Sequence, residues 1–420
     1  MLSESRQRRV VVIGGSMSGL FVATLLARVG WHAEIYERAE NELTGRGAGI
    51  VTHAPMRAVL AAAGCDPNRD LGIAVDGRRT LDRAGAVVAH HHCPQMLTSW
   101  DRVFRLLRES FPAERYHLGK ELRRLEPSAD CVVAHFADGS AIEAALVVGA
   151  DGFRSTVRVQ ILPEIKPIYA GYVAWRGLVA ESALSAATHA DLFDALVFSL
   201  PPGEQCLTYP VAGPENDLRP GHRRCNLVWY RTVPDAELMR MLTDAGGRLH
   251  ALGIPPPLVR SEIIAQLHET ARALLPPQLD EVVQLTARPF LQPIYDVETS
   301  RMCMGRVVLV GDAAFLARPH VAAGVTKAAE DAMALADALQ AGKSIDCALA
   351  AFEAARLGIN RQVIQRGRNL GSYLGPPPAN AEARRKAARH ATPEAVMREI
   401  AVLDFLEVRK SRDPLRSGSA

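Results

Sequence analysis

The sequence predicts an α/β protein: a parallel-sheet domain, interrupted by a mainly antiparallel lobe and ended by a helical tail. Three observations predict it. Near the N-terminus, "RVVVIGGSMSGLFVATLLARVGWHAEIYER" reads as an apolar strand, a glycine turn, a helix and a second strand. A short, continuous β-branched run of that kind suits a buried parallel strand. From about 168 to 290 short strands dominate instead: "YAGYVAWRGLV", "ALVFSL", "CLTYPV" and "RRCNLVWY". Then "GRVVLVGDAA" returns to a buried strand that runs into a turn and a helix.

The elements follow in order. Arg9 to Ile13 is the first strand, Gly19 to Val29 the helix, and Gly30 stands just past its end, where a helix-stopping glycine belongs. Ala33 to Tyr36 completes the βαβ unit. A helix is expected over Pro55 to Ala63, with proline early and Gly64 at its close. Another is expected over Trp100 to Ser110. Residues 131 to 149 read as strand, Asp138-Gly139 hairpin turn, strand, and then the apolar strand of "ALVVGADG". A Pro-rich helical stretch covers 250–278. After the helix in "TKAAEDAMALADALQ" the tail breaks at "GPPP" and restarts at Thr392-Pro393-Glu394, an N-cap signature. The closing "SRDPLRSGSA" is expected to be loose. The expected parallel-sheet domain is discontinuous, 1–75, 98–167 and 290–345. The inserted lobe is 76–97 and 168–289, and the helical region 346–420.

A chain of 420 residues is too long for one compact core. Its formal charge of +3 gives no electrostatic reason to expect nucleic acid or a membrane surface as partner. Val10 to Ala27 carries no charge, which raises a membrane helix or signal peptide. The interruption "GGSMSG" and the strand "HAEIYER" that follows argue against both. Seven scattered cysteines, never in C-x-x-C, read as reduced thiols in a cytoplasmic protein. His90-His91-His92-Cys93 has no companion ligand cluster and reads as a solvated strand end, so no metal site is expected.

Three motifs carry chemistry. The first is the loop Gly14, Gly15, Ser16, Met17, Ser18, Gly19. It departs from G-x-G-x-x-G at Ser16, yet glycines stand where the backbone turns and where helix meets strand. Such a loop offers a pyrophosphate the N-terminus of a helix, and Ser16 can donate its hydroxyl. Glu37 ends the second strand, where an acid takes an adenosine ribose. The second motif is "VVGADGFRSTVR", with Asp151 and Gly152; the third is "GRVVLVGDAAFLARPHVAAGVTKAAEDA", with Asp312. Each alone is also compatible with a plain turn.

Together, in this order and spacing, they resemble the class A flavoprotein monooxygenases of the para-hydroxybenzoate hydroxylase fold, and within them the hydroxypyridine-hydroxylase branch. "GGSMSGL", "GRGAGIV", "PAERYHLGK", "VVGADG", "YAGYVAWRG" and "VVLVGDAA…RPHVAAGVTKAAEDA" carry the resemblance, over about residues 9 to 340. It implies a Rossmann-like FAD-binding domain of the GR2 type, with an inserted antiparallel substrate domain. FAD pyrophosphate would lie on Gly14 to Gly19 and the ribose on Glu37, with Arg38 beside it. Asp312 would take the ribityl or pyrophosphate part. Asp151 and Gly152 are associated with both FAD and NAD(P)H. Pro319, Ala322, Ala323, Gly324 and Val325 would run along the flavin ring, with Gly49 nearby. A single fingerprint implies that NAD(P)H docks only transiently. Two departures stand out. Trp100 replaces an arginine that opens the helix, so that either Arg102 or Arg105 supplies the charge or both are ordinary surface arginines, and Phe315 replaces a histidine.

The implied reaction is hydroxylation of an electron-rich ring, a hydroxypyridine or a phenol, with NAD(P)H and O2, through a flavin C4a-hydroperoxide. Proton management points to His320, beside Pro319, and to His53, after "GRGAGIV"; each can instead be a packed histidine at the domain junction. Tyr209, Pro210, Asn226, Trp229 and Tyr230 are pocket candidates. Alternation lets only one of Trp229 and Tyr230 face inward. The competing readings are an epoxidase, oxidase or halogenase on the same fold, or a non-catalytic flavin-binding protein. "AWRGLV" lacks the Trp-x-Trp-x-Ile-Pro segment of halogenases. A homodimer is the expected assembly if the tail pairs.

Overall fold

The protein is described by a computed structural model that covers residues 8–44, 49–67 and 70–406. The closing "SRDPLRSGSA" and positions 45–48 of "GRGAGIV" lie outside the described residues.

A six-stranded sheet runs in the order Cys303–Met304, Val307–Leu309, Leu146–Gly149, Arg9–Ile13, His32–Tyr36, Tyr116–His117. All its neighbours are parallel except the first pair. Val10, Val11, Val12, Leu146, Val147, Val148, Val307, Val308 and Leu309 have no exposed surface, as expected of strands covered on both faces. Ile13 pairs with Gly149, and Gly149 with Leu309. The three motif turns, far apart in sequence, therefore leave adjacent parallel strands at the same end. In open α/β sheets that crevice is where ligands sit.

A nine-stranded sheet holds the lobe, in the order Phe315–Leu316, Phe290–Glu298, Ile168–Ala180, Arg224–Thr232, Gln205–Val211, Ala195–Ser199, Ile73–Leu81, Val87–Ser99, Gly49–Thr52. Two segments grouped by sequence with the parallel-sheet domain, 49–52 and 290–298, pair here instead. Leu122–Pro127, Val132–Phe136 and Ala141–Ala144 form a separate small sheet, turned at Gly139 with φ +84°.

The two faces of the large sheet differ. Trp175 and Trp229 pair across strands and pack with Ile263, Leu267, Leu279 and Val282 of the helices Ser261–Leu274 and Pro277–Leu285. Tyr172, Ala174, Tyr209 and Tyr230 form a core on the opposite face. The helical tail is tied to that second face. Buried Arg78 donates to the carbonyls of Met397 (2.6 Å), within the helix Pro393–Glu399, and of Ile400 (2.7 Å), just past its end. That helix is capped by Thr392, whose hydroxyl accepts from Ala395 N. The 26-residue helix Ile345–Leu370 joins the first core through Arg356, which donates to buried Asp331 at 2.8 Å.

Candidate functional site

The loop is shaped by close backbone approach. Gly14 has φ +104°, and a Cβ there would stand 2.6 Å from Ala150 O. Only glycine permits both. The loop is then pinned from the side: Glu37 accepts from Gly15 N (2.8 Å) through one oxygen and from Ala39 N (2.9 Å) through the other. Tyr116, of "PAERYHLGK", donates its hydroxyl to Gly15 O at 2.8 Å. Gly19 meets the backbone of Gly14, so the helix Met17–Arg28 starts directly against the strand.

Ser16 occupies the N-cap of that helix, but its side chain makes no capping bond. The 18-residue helix Gly324–Ala341 also begins without a side-chain cap, after Ala323, and has no acid in its first turn. Free amides and the positive dipole end make such a terminus an anion site. Both termini open on one cavity of about 420 Å³, whose walls include Gly14, Ser16, Met17, Ser18, Glu37, Arg38, Asp151, Gly152, Asp312, Gly324 and Val325. Ser18 Oγ and Asp151 Oδ1 are buried there without a partner. The other Asp151 oxygen accepts from Thr156 N (2.7 Å) and Val157 N (3.1 Å). A second cavity of about 480 Å³ shares Arg154 and Asp312 with the first and runs on past Pro319 to the strand Phe290–Glu298. At this junction burial pushes the Asp312 carboxyl up in pKa, against the pull of Lys327. The residues fit a long dinucleotide: two helix ends for phosphate and ring oxyanion, glycines for close approach, and unpaired polar atoms facing the gap.

Neither Arg102 nor Arg105 lines the cavity that Trp100 faces. Arg102 donates to Asp70 O at 3.2 Å, and Arg105 pairs with Asp101 at 2.7 Å. Ser99 caps the helix Trp100–Ser110 and so sets its phase. Trp100 faces the cavity, stacked on Phe104 at 4.9 Å, and a residue two positions on is turned roughly 200° away. Among the described residues, the cations on the cavity wall are Arg38, Lys120 and Arg154.

Two substrate candidates are corrected. Trp229 lies on the helix-covered face, with its indole N–H donating to Glu204 at 2.8 Å. Pro210 is buried and points the same way, because it pairs with Cys225 while Tyr209 pairs with Asn226. Tyr209 and Tyr230 take the inward positions. Asn226 accepts from Gly49 N at 3.2 Å, and the Tyr209 ring covers Gly49.

His320 is 1% exposed. Its Nε2 meets the Tyr172 hydroxyl at 2.9 Å, and its ring lies 4.4 Å from that of Tyr230. Burial, with Arg318 and Arg176 adding positive charge, lowers its pKa to about 3. His53 heads the helix Ala54–Ala62 near the Ala322 backbone, and burial lowers its pKa to about 4. Both are neutral at neutral pH. Ala322 itself holds φ +50°, an uncommon conformation for a residue with a Cβ, just past the turn Pro319–Val321 that feeds the second helix end. Tyr172, Tyr116 and Arg154 were not singled out from sequence. "PAERYHLGK" carried the signal for Tyr116; Tyr172 had none beyond its place in an alternating strand.

Among the described residues, no group of three His, Cys, Asp or Glu can hold a metal ion, and no helix is long and apolar enough to cross a membrane.

Comparison with known proteins bears on the same features. A family model described as FAD binding domain-like matches residues 169–296. The 2,6-dihydroxypyridine 3-monooxygenase of Paenarthrobacter nicotinovorans is 32% identical over 373 residues, 87% of this chain and 91% of its own. The 6-hydroxynicotinate 3-monooxygenase of Pseudomonas fluorescens is 28% identical over 374 residues, 84% of this chain and 88% of its own. The solved structure of 2,6-dihydroxypyridine-3-hydroxylase from Arthrobacter nicotinovorans superposes with a TM-score of 0.83 at 30% identity, covering 89% of this chain and 95% of that one.

Proposed function

Because the chain belongs to the class A flavoprotein monooxygenases, we propose that it hydroxylates a hydroxypyridine or a phenol with FAD, NAD(P)H and O2. FAD, once reduced, supplies the activated oxygen. The protein's own residues bind, orient and keep water out.

In this reading the amides of the Gly14–Gly19 loop and the free Ser16 hydroxyl hold the pyrophosphate. Glu37 offers the ribose the lone pairs that Gly15 N and Ala39 N leave open. Arg38, Asp151 and Gly152 complete that end, and Asp312 bridges the two cavities. Pro319, Ala322, Ala323 and the amides of Gly324 and Val325 face the ring end, where a helix N-terminus favours negative charge. Tyr209, Tyr230, Asn226 and Gly49 orient the aromatic substrate. His320 and His53, both neutral, can exchange a hydrogen bond or accept a proton but bring no charge to it.

The observation that carries the reading is the meeting of two uncapped helix N-termini on one cavity beside a tyrosine-lined sheet face. The test is a panel of hydroxypyridines and phenols. The expected result is a yellow protein whose NAD(P)H consumption rises with a ring compound, and a product carrying one 18O atom from 18O2. A colourless protein, or ring-stimulated NAD(P)H oxidation that yields only peroxide for every compound, overturns it. The same reading places the enzyme in the cytoplasm, supported by seven free cysteines. It also has the enzyme assemble as a homodimer, which light scattering tests.

A further inference from the structure

We propose that Arg176 is an oxyanion-binding residue that selects aromatic substrates carrying a carboxylate or an ionised hydroxyl. The inference rests on the hydroxylase reading above and deepens it.

Arg176 stands in the middle of the strand Ile168–Ala180, opposite Val228 on one side and Phe290 on the other. Directly opposed residues of antiparallel strands share a face. Its side chain therefore rises beside Tyr209 and Tyr230, on the face that also carries Gln292, and Phe290 and Gln292 both line the larger cavity. Its charge is felt by Tyr209, Tyr230 and His320.

Among the described residues no acid pairs with it, and its Nε is buried without a partner. Asn226 Nδ2 and His320 Nδ1, on fully buried side chains nearby, are unpartnered as well. Arginines buried elsewhere differ. Arg78 binds two carbonyls, Arg158 binds Ala313 O, and Arg356 binds Asp331. Arg318 forks onto Asp296. Arg176 itself is half-buried, and a guanidinium whose buried Nε lacks both a partner and a counter-charge is open to a group that arrives with the ligand. Its planar fork matches a two-oxygen anion or an ionised ring hydroxyl. A neutral ring would leave the fork unpaired, which is how a polar site rejects an analogue.

The test titrates FAD-loaded protein with matched rings and reads the perturbation of the flavin spectrum. One arm sets 6-hydroxynicotinate against 2-hydroxypyridine and reports a carboxylate. The other takes 2,6-dihydroxypyridine below and above its ionisation and reports an oxyanion on the ring. Wild type is expected to favour the anionic member of at least one arm. Arg176→Met should weaken that member by about 50-fold or more and the neutral ring by less than about 3-fold, while Arg176→Lys, which keeps charge without the fork, falls between. FAD absorbance and melting temperature report whether each variant folds. If neither variant retains FAD, the wild-type preference decides alone. Equal affinity of wild type for charged and neutral rings, or equal weakening of both by Arg176→Met, overturns the inference and leaves the hydroxylase reading standing. A wild type that binds and hydroxylates no ring overturns both.

Discussion

The glycine-loop cavity and the tyrosine face of the large sheet are made of different material. The cavity is built mostly from backbone: a φ +104° glycine, two uncapped helix ends and the strand turns between them. The sheet face is built from side chains, Tyr172, Arg176, Tyr209, Asn226 and Tyr230, whose placement depends on strand register. A site of backbone has one shape and suits a ligand that does not change. A site of alternating side chains can be re-cut by single substitutions without disturbing the sheet. The comparison teaches where change is tolerated: at Gly14 a methyl group would overlap the backbone of Ala150 and Asp151, while on the face it alters choice of ring.

Breaking the cavity should give the largest effect. Gly14→Val places a β-branched residue at positive φ with its Cβ within van der Waals overlap of Ala150 and Asp151. Strain of that kind costs roughly 3 kcal/mol, about 100-fold in affinity. The variant is expected to purify without visible flavin absorbance; a normally yellow Gly14→Val protein refutes the close-approach argument. Next in size is Glu37→Gln. The amide keeps one acceptor but turns an N–H₂ toward Gly15 N or Ala39 N. Loss of a charge-assisted bond of about 1.5 kcal/mol or more should weaken FAD by roughly 10-fold, read by equilibrium dialysis.

That division also governs what the sequence shows in advance. "GGSMSG", "GADG" and "GDAA" mark the ends of buried strands, and parallel strands packed side by side bring their ends together whatever lies between. The face was harder. Alternation says that Trp229 and Tyr230 oppose each other, but which faces inward is set by pairing with Cys206 and Gln205 and by the helices that cover Trp229. Arg102 misled for a similar reason, since one cap at Ser99 fixes the rotation of the whole helix. Nothing local announces that Ile73–Leu81 runs parallel to Ala195–Ser199, or that Arg78 reaches the tail carbonyls. Those contacts close over more than a hundred residues.

A third effect, on stability alone and absent at neutral pH, sets the face apart by pH. His320 has a folded pKa near 3 against an ordinary value of 6.5, so the unfolded chain takes up its proton first. Its contribution is intact above pH 6.5 and declines as pH falls toward the folded value. A fully buried group of this kind has a limiting slope of about 1.4 kcal/mol per pH unit. Denaturant melts of wild type and His320→Asn at pH 7, 6, 5 and 4 should therefore converge as pH falls. Parallel curves would mean that His320 is not held neutral by burial.

The smallest catalytic effect is expected one residue from a large one, at Trp229. Tyr230 touches His320 and Tyr172 on the inward face, so Tyr230→Phe should lower the fraction of NAD(P)H oxidation coupled to product. Trp229→Phe instead removes the indole bond to Glu204, which keeps its bond from Arg231 at 3.0 Å. A lost hydrogen bond and a partly filled core site cost stability of about 1–3 kcal/mol. Trp229 itself lines neither cavity, so KM and coupling of Trp229→Phe should stay within about 2-fold of wild type, while its urea midpoint falls. Equal damage to coupling in both variants would show that the two faces of the sheet are not separated by its alternation.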